Sequence, residues 1–250
     1  MATKRTSKKQ SADAARMAEI VRRLKERYPD VVCALEWGGQ YGGEPDLLLR
    51  ESWKLLVMGR LSAQCTDARV NVVCKDLFER FPTVQAMAEG EITEIEAIVR
   101  SCGLYHTKAQ NIKDACRILA EDYGGIVPDD MDALLALPGV GRKIANLLLG
   151  DVYKKGGVVT DTHCIRICGR LGFYDESVKE PIKVERILTP LIEPAEQSDF
   201  CHRIVQFGRD TCMARSPDCE GCPLKDLCRH HEDPHVRSSK KPARTAAKGP

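Results

Sequence analysis

No stretch of the 250 residues stays apolar for the roughly 20 positions that a bilayer span requires. The charged N-terminus is followed by no apolar run of the signal-peptide kind, so a cytoplasmic protein without a membrane partner is expected, nucleoid-associated if the source is bacterial. After residue 35 nothing alternates apolar and polar residues at strand period. That excludes a sheet architecture and predicts an all-α chain. Internal repeats are missing, and biased composition is confined to the ends. A dominant charge is missing too: 38 basic residues meet 36 acidic ones, for a net +2. The balance is uneven along the chain. Lys4, Arg5, Lys8 and Lys9 face no acid in the first ten residues, and Arg237, Lys240, Lys241, Arg244 and Lys248 face only Asp233 after residue 232. Residues 1–11 and 233–250 therefore read as basic disordered tails, of a kind that suits a polyanionic partner.

Cysteine, by contrast, is abundant. Twelve thiols without a secretion signal point to reduced cysteines or a metal site rather than disulfides. Cys212, Cys219, Cys222 and Cys228 follow the spacing C-x6-C-x2-C-x5-C. Four thiolates that close in sequence converge on one centre, and spacing alone leaves zinc and an iron–sulfur cluster both open. The other eight cysteines show no ligand spacing and are expected as small buried residues.

Helical periodicity orders the rest. Ser11 can cap a helix with the stripe Met17, Ile20, Val21, Leu24 and Tyr28, stopped by Pro29. Residues 31–35 read as a further short helix. Gly38, Gly39, Gly42, Gly43 and Pro45 mark a loop and a domain boundary. A helix is expected over 52–61. Asp67 can cap the next, with Val70, Val73, Cys74, Leu77, Phe78 and Phe81 buried and Pro82 ending it. Thr93 with Glu96 fits a capping box, and Gly103 fits the position after that helix. Further helices are expected up to Gly124, over 128–136, from Asp161 to Leu171, over 181–188 and over 198–207.

The sharpest punctuation is Leu137-Pro-Gly-Val-Gly-Arg-Lys143. Pro138, Gly139 and Gly141 make a tight hairpin, and the apolar run 144–149 that follows reads as a helix. The hairpin presents free N–H groups of a helix N-terminus, and two glycines allow close backbone approach. This is an anion site of the phosphate-binding kind. Lys143 falls in the first turn, where a cation is electrostatically disfavoured, so it is a candidate nucleophile. Asp161 is a helix N-cap by position.

Leu137–Lys143, with Asp161-Thr-His163 eighteen residues beyond the lysine, resembles the helix–hairpin–helix signature of the endonuclease III DNA glycosylases. The cysteine spacing resembles that family's iron–sulfur loop. Leu61-Ser-Ala-Gln64-Cys-Thr-Asp67 and Gly103-Leu104-Tyr105 are similar to its two duplex-entering turns. The likeness spans roughly residues 15–230. It implies a two-domain, all-α helix–hairpin–helix DNA glycosylase fold. A six-helix domain would cover 46–155. A cluster domain would combine 12–45 with 156–232 and hold a [4Fe–4S] cluster in the loop 212–228.

The resemblance further implies a monomeric bifunctional DNA glycosylase and AP lyase acting on oxidised or ring-saturated pyrimidines in double-stranded DNA. Lys143 would be the nucleophile. Asp161 would stabilise the sugar cation and help deprotonate the lysine. Gln64 would fill the gap left by the extruded nucleotide, and Leu104 would prop bases apart. Gly139, Gly141 and His163 would meet phosphates, as would Arg215 in a loop less basic than in many relatives. Alternatives are a mismatch-specific adenine or thymine/uracil glycosylase, or a non-catalytic DNA-binding module. Arg60 near the place of the adenine enzyme's glutamate argues against the first. Retention of both Lys143 and Asp161 argues against the last.

Overall fold

The computed structural model describes residues 2–38 and 45–232, and all regular structure among them is helical. No helix there is long and apolar enough to cross a membrane. The C-terminal basic segment 233–250 and Gly39, Gly42 and Gly43 lie outside the described residues. The N-terminal segment departs from expectation. Helix α1 runs Ala2–Arg27, so it begins within the expected tail and not at a Ser11 cap. No glycine or proline interrupts those 26 residues, and alanine, lysine, arginine and glutamine all favour helix.

Residues 31–35 form an irregular loop, not a helix. The side chain of Asn71 takes over its backbone bonds, donating to the Ala34 carbonyl at 2.9 Å and accepting from the Glu36 N–H at 3.1 Å. Cys33, Leu35 and Trp37 are thereby buried. Helix α2 covers Pro45–Leu61 and α3 covers Asp67–Arg80. The cap of α3 is Thr66, whose hydroxyl accepts from the Arg69 N–H; Asp67 is the first helical residue and pairs with Arg209 instead. Helix α4 (Val84–Glu89) is capped by Thr83. Helix α5 (Ile92–Val99) starts too early for a Thr93–Glu96 capping box; Glu91 sits at its cap, and Glu96 pairs with His106 at 2.9 Å.

Helix α6 covers Tyr105–Asp122, α7 Met131–Ala136, α8 Arg142–Asp151, α9 Thr162–Leu171, α10 Pro181–Leu188, α11 Pro194–Asp210 and α12 Arg229–Glu232. Helix α11 begins four residues before Ser198, because Pro194 is well suited to a first helical turn.

The buried apolar side chains fall into two clusters. One gathers α2 to α8 around Trp53, Leu56, Leu61, Leu77, Ile112, Leu134 and Leu148, with Cys33, Leu35 and Trp37 added from the loop after α1. The other packs Met17, Ile20 and Leu24 of α1 against Ile167, Leu188, Phe200, Ile204 and Phe207 of α9 to α11. Residues 152–161 pass from one cluster to the other, so the turn that begins α8 and the turn that begins α9 face a common space.

Candidate active site and cysteine centre

The hairpin between α7 and α8 is built locally. Asp130 caps α7 through two backbone N–H groups at 3.0 Å, and the Val140 N–H closes the turn on the Leu137 carbonyl at 3.1 Å. Gly139 has φ +75°, and a Cβ there would stand 2.6 Å from Nε of Arg60 and 2.9 Å from Cβ of Asn111. Only glycine fits, on conformational and steric grounds alike. Gly141 is different. It is the N-cap of α8 at φ −103°, it is exposed, and a Cβ on it would meet nothing within 4 Å. No side chain caps α8; the Ile144 N–H bonds the Gly141 carbonyl at 2.9 Å, and the N–H groups of Arg142 and Lys143 ahead of it have no intrahelical acceptor.

Lys143, in the first turn of α8, is exposed, and Asp161 is half-buried at the N-cap of α9. Both line one cleft of about 260 Å³, together with Ser62, Leu147, His163 and Arg209. One oxygen of Asp161 accepts from the Cys164 N–H at 2.8 Å, so the cap fixes the carboxylate in the cleft wall. His163 also lines the cleft. Its Nδ1 lies 3.3 Å from Arg166, its ring packs on Gly208, and burial pushes its pKa below the usual histidine range. A neutral imidazole can offer a phosphate a hydrogen bond but no charge.

Gln64 and Leu104 share an unusual state. Each is an L-residue in the left-handed region, at φ 57° and φ 49°. Such a conformation costs on the order of 1–2 kcal/mol per residue. Burial does not repay it: Gln64 is exposed and Leu104 is 60% exposed. Leu104 is therefore not a core leucine.

The four spaced cysteines line one small pocket of about 30 Å³ whose other walls include Ile167, Leu171, Phe207 and Leu224. N–H groups reach two of the sulfurs: Arg170 Nη1 lies 3.4 Å from Sγ of Cys212, and the Leu224 N–H lies 3.4 Å from Sγ of Cys222. Arg170 also donates to the Met213 and Ala214 carbonyls at 2.8 Å, tying the loop to α9. An all-thiol donor set in an apolar pocket, with N–H groups on the sulfurs, fits an iron–sulfur cluster. Arg215 stands exposed on the same loop.

Sequence reasoning missed two features beside the cleft. Asp67 of α3 and Arg209 of α11 pair across it at 2.8 Å. Behind it, Asp151 at the end of α8 is buried and accepts from His202 at 2.9 Å and from Ser198, both on α11. Burial works to raise the Asp151 pKa, but His202 and Ser198 outweigh it and hold the carboxyl below its ordinary value. Cys33 adjoins this group. No local pattern marks these residues, since the partners lie 47 or more positions apart.

The family models agree with this geometry. Residues 57–194 match the HhH-GPD superfamily of base excision DNA repair proteins, and residues 212–228 match the iron–sulfur binding domain of endonuclease III. Endonuclease III of Synechocystis sp. is 41% identical over 222 residues, which cover 88% of this chain and 95% of that protein. The fold matches that of endonuclease III in a non-covalent DNA complex at TM-score 0.77 and 37% identity, over 91% of this chain and 99% of the other. It also matches a trapped endonuclease III–DNA covalent intermediate at TM-score 0.75 and 37% identity, over 88% and 97%. With its hairpin in the first of these matches, its four-cysteine loop in the second and 41% identity over most of both chains, the chain belongs to the endonuclease III family of helix–hairpin–helix base excision repair proteins.

Proposed function

We propose that the cleft between α8 and α9 is the active site of a DNA glycosylase and AP lyase, with Lys143 as nucleophile and Asp161 as its carboxylate. The observation that carries this reading is the meeting of those two side chains in one cleft, beside an uncapped helix N-terminus. Departure of the base breaks the glycosidic bond and leaves C1′ electron-poor. The Asp161 carboxylate stabilises that positive charge and takes a proton from the lysine. Lys143 Nζ bonds to C1′, the sugar ring opens, and a Schiff base results. Loss of a C2′ proton then expels the 3′ phosphate by β-elimination. The N–H groups of the hairpin around Gly139 and Gly141, the His163 ring and Arg215 hold phosphates on the strand in this reading.

The substrate class is oxidised or ring-saturated pyrimidine in duplex DNA, and the enzyme acts as a monomer. Arg60, near the place of the adenine-specific enzymes' glutamate, supports this choice over an adenine-specific one: a guanidinium bound to Asn111 at 2.9 and 3.0 Å stands there in place of a carboxylate. The chain divides into a six-helix domain over 46–155 and a cluster domain made from 12–45 and 156–232; the two apolar clusters support this division, except that Cys33, Leu35 and Trp37 pack with the six-helix side. Incision measured on a panel of duplexes, each bearing thymine glycol, uracil, thymine–guanine or adenine–oxidised guanine, tests the assignment. Thymine glycol should be cut first and trapped by borohydride. Preference for a mismatch would overturn the substrate class.

The cofactor is a [4Fe–4S] cluster. Cys212, Cys219, Cys222 and Cys228 would hold it, and when bound it supplies a rigid loop in place of chemistry on the sugar. Cys219→Ala should lower the yield of folded protein and remove the yellow-brown absorption, because binding and folding are coupled. A colourless native protein with one zinc per chain would refute the assignment.

Gln64 and Leu104 are the two wedges. Gln64→Ala and Leu104→Ala should each slow lesion excision about tenfold while changing affinity for undamaged duplex little, on the scale of lost stacking support. Equal losses on both substrates would show that these residues only support the fold.

A further inference from the structure

Lys108, in the first turns of α6, is fully buried. Its three ammonium protons are all used on main-chain carbonyls: Leu61 at 2.9 Å, Ala63 at 2.7 Å and Cys102 at 2.8 Å. Those acceptors are not spread at random. Leu61 ends α2, and Ala63 immediately precedes Gln64. Cys102 ends a short 3-10 turn two residues before Leu104. The Lys108 backbone N–H also donates to the Leu104 carbonyl at 3.0 Å. Of the three exposed L-residues in the left-handed region among the described residues, Gln64, Leu104 and Lys154, one lysine thus grips the turns of the first two.

The chemistry of the grip fits its position. Carbonyls at helix ends carry partial negative charge and lack intrahelical donors, so a cation suits them. Desolvating an ammonium is nonetheless costly, and no carboxylate among the described residues pairs with it. An apolar side chain could fill the same space without that penalty. What it could not do is fix two unconnected turns at one separation. Nor would it hold Gln64 and Leu104 in conformations that neither adopts readily alone.

We propose that Lys108 is a positioning residue that locks the Gln64 and Leu104 turns into one rigid two-pronged wedge. The two side chains then enter the duplex together, one beside the gap and one against the neighbouring bases. This inference rests on the wedge reading above and adds that the wedges act as a unit through Lys108.

The test is a mutant cycle on the full holoenzyme. Lys108→Met is made in the native chain and in the Gln64→Ala, Leu104→Ala chain. Nucleotide extrusion is followed by 2-aminopurine fluorescence in a thymine glycol duplex, excision by single-turnover cleavage, and folding by the cluster absorption. In the native chain, extrusion and excision should slow about tenfold or more, the scale of lost charge-assisted hydrogen bonds. In the wedge-less chain the same substitution should change either rate less than about twofold, because coupled residues are non-additive. Should Lys108→Met not accumulate as folded protein, Lys108→Gln, which keeps two donors, is measured in the same cycle. Equal losses in both chains, or no loss in the native chain, would overturn the inference and leave the wedges standing. A double-alanine chain that excises at the native rate would overturn both.

Discussion

Lys143→Gln should abolish strand cleavage while leaving damaged-DNA binding largely intact. The lysine is exposed in the cleft wall and belongs to neither apolar cluster, so the substitution removes an amine without removing a support. Gln is close in length and a good helix former, and the helix start at Gly141 does not depend on the side chain. Without the amine no Schiff base can form, so β-elimination has no covalent route. The loss should reach the limit of detection in a nicking assay. Borohydride should trap the native enzyme on thymine glycol DNA and leave Lys143→Gln untrapped. Trapping of the variant at the native level would mean that another amine attacks, and the central assignment would fail.

Asp161→Asn should lower the single-turnover rate by about a hundredfold or more, the range for a lost general base or a lost charge opposite a developing cation. The fold should survive. Asp161 caps α9 by accepting from the Cys164 N–H, and an asparagine carbonyl oxygen can accept the same bond. The change therefore separates charge from capping. Asp161→Ala would remove both, and should add a stability loss of about 1 kcal/mol from the missing cap. The informative comparison is the melting temperature beside the rate. If Asp161→Asn melts like the native protein and is slow, the carboxylate acts in the chemistry. If it cleaves at the native rate, Asp161 is a cap and nothing more.

Much of this molecule is determined locally and so can be read along the chain. The hairpin is fixed by Pro138, Gly139 and Gly141 within a few residues. The cluster loop is fixed by four cysteines within seventeen positions. The cap at Asp161 and the stops at the helix ends likewise depend on nearest neighbours. Where local signals competed, the outcome depended on packing. Thr66 took the cap expected of Asp67, because Asp67 is engaged by Arg209 from 142 residues away. Glu96 left the expected capping box for His106. The loop at 31–35 is irregular because Asn71, on another element, bonds its backbone.

The sequence by itself thus determined the all-α class, the hairpin and the thiol centre, and singled out Lys143 and Asp161 as the proposed reactive pair. Only the tertiary structure decided that α8 and α9 start on one cleft, which places Lys143 and Asp161 together. It alone showed that Gln64 and Leu104 are strained and exposed, since backbone dihedrals at isolated L-residues leave no compositional trace. Lys108 left one faint mark, a charge in line with the buried stripe of Ala109, Ile112, Ala115, Cys116 and Leu119. Its role could not be read there. Its partners are carbonyls, which every residue carries, and only folding selects which of them a buried ammonium meets.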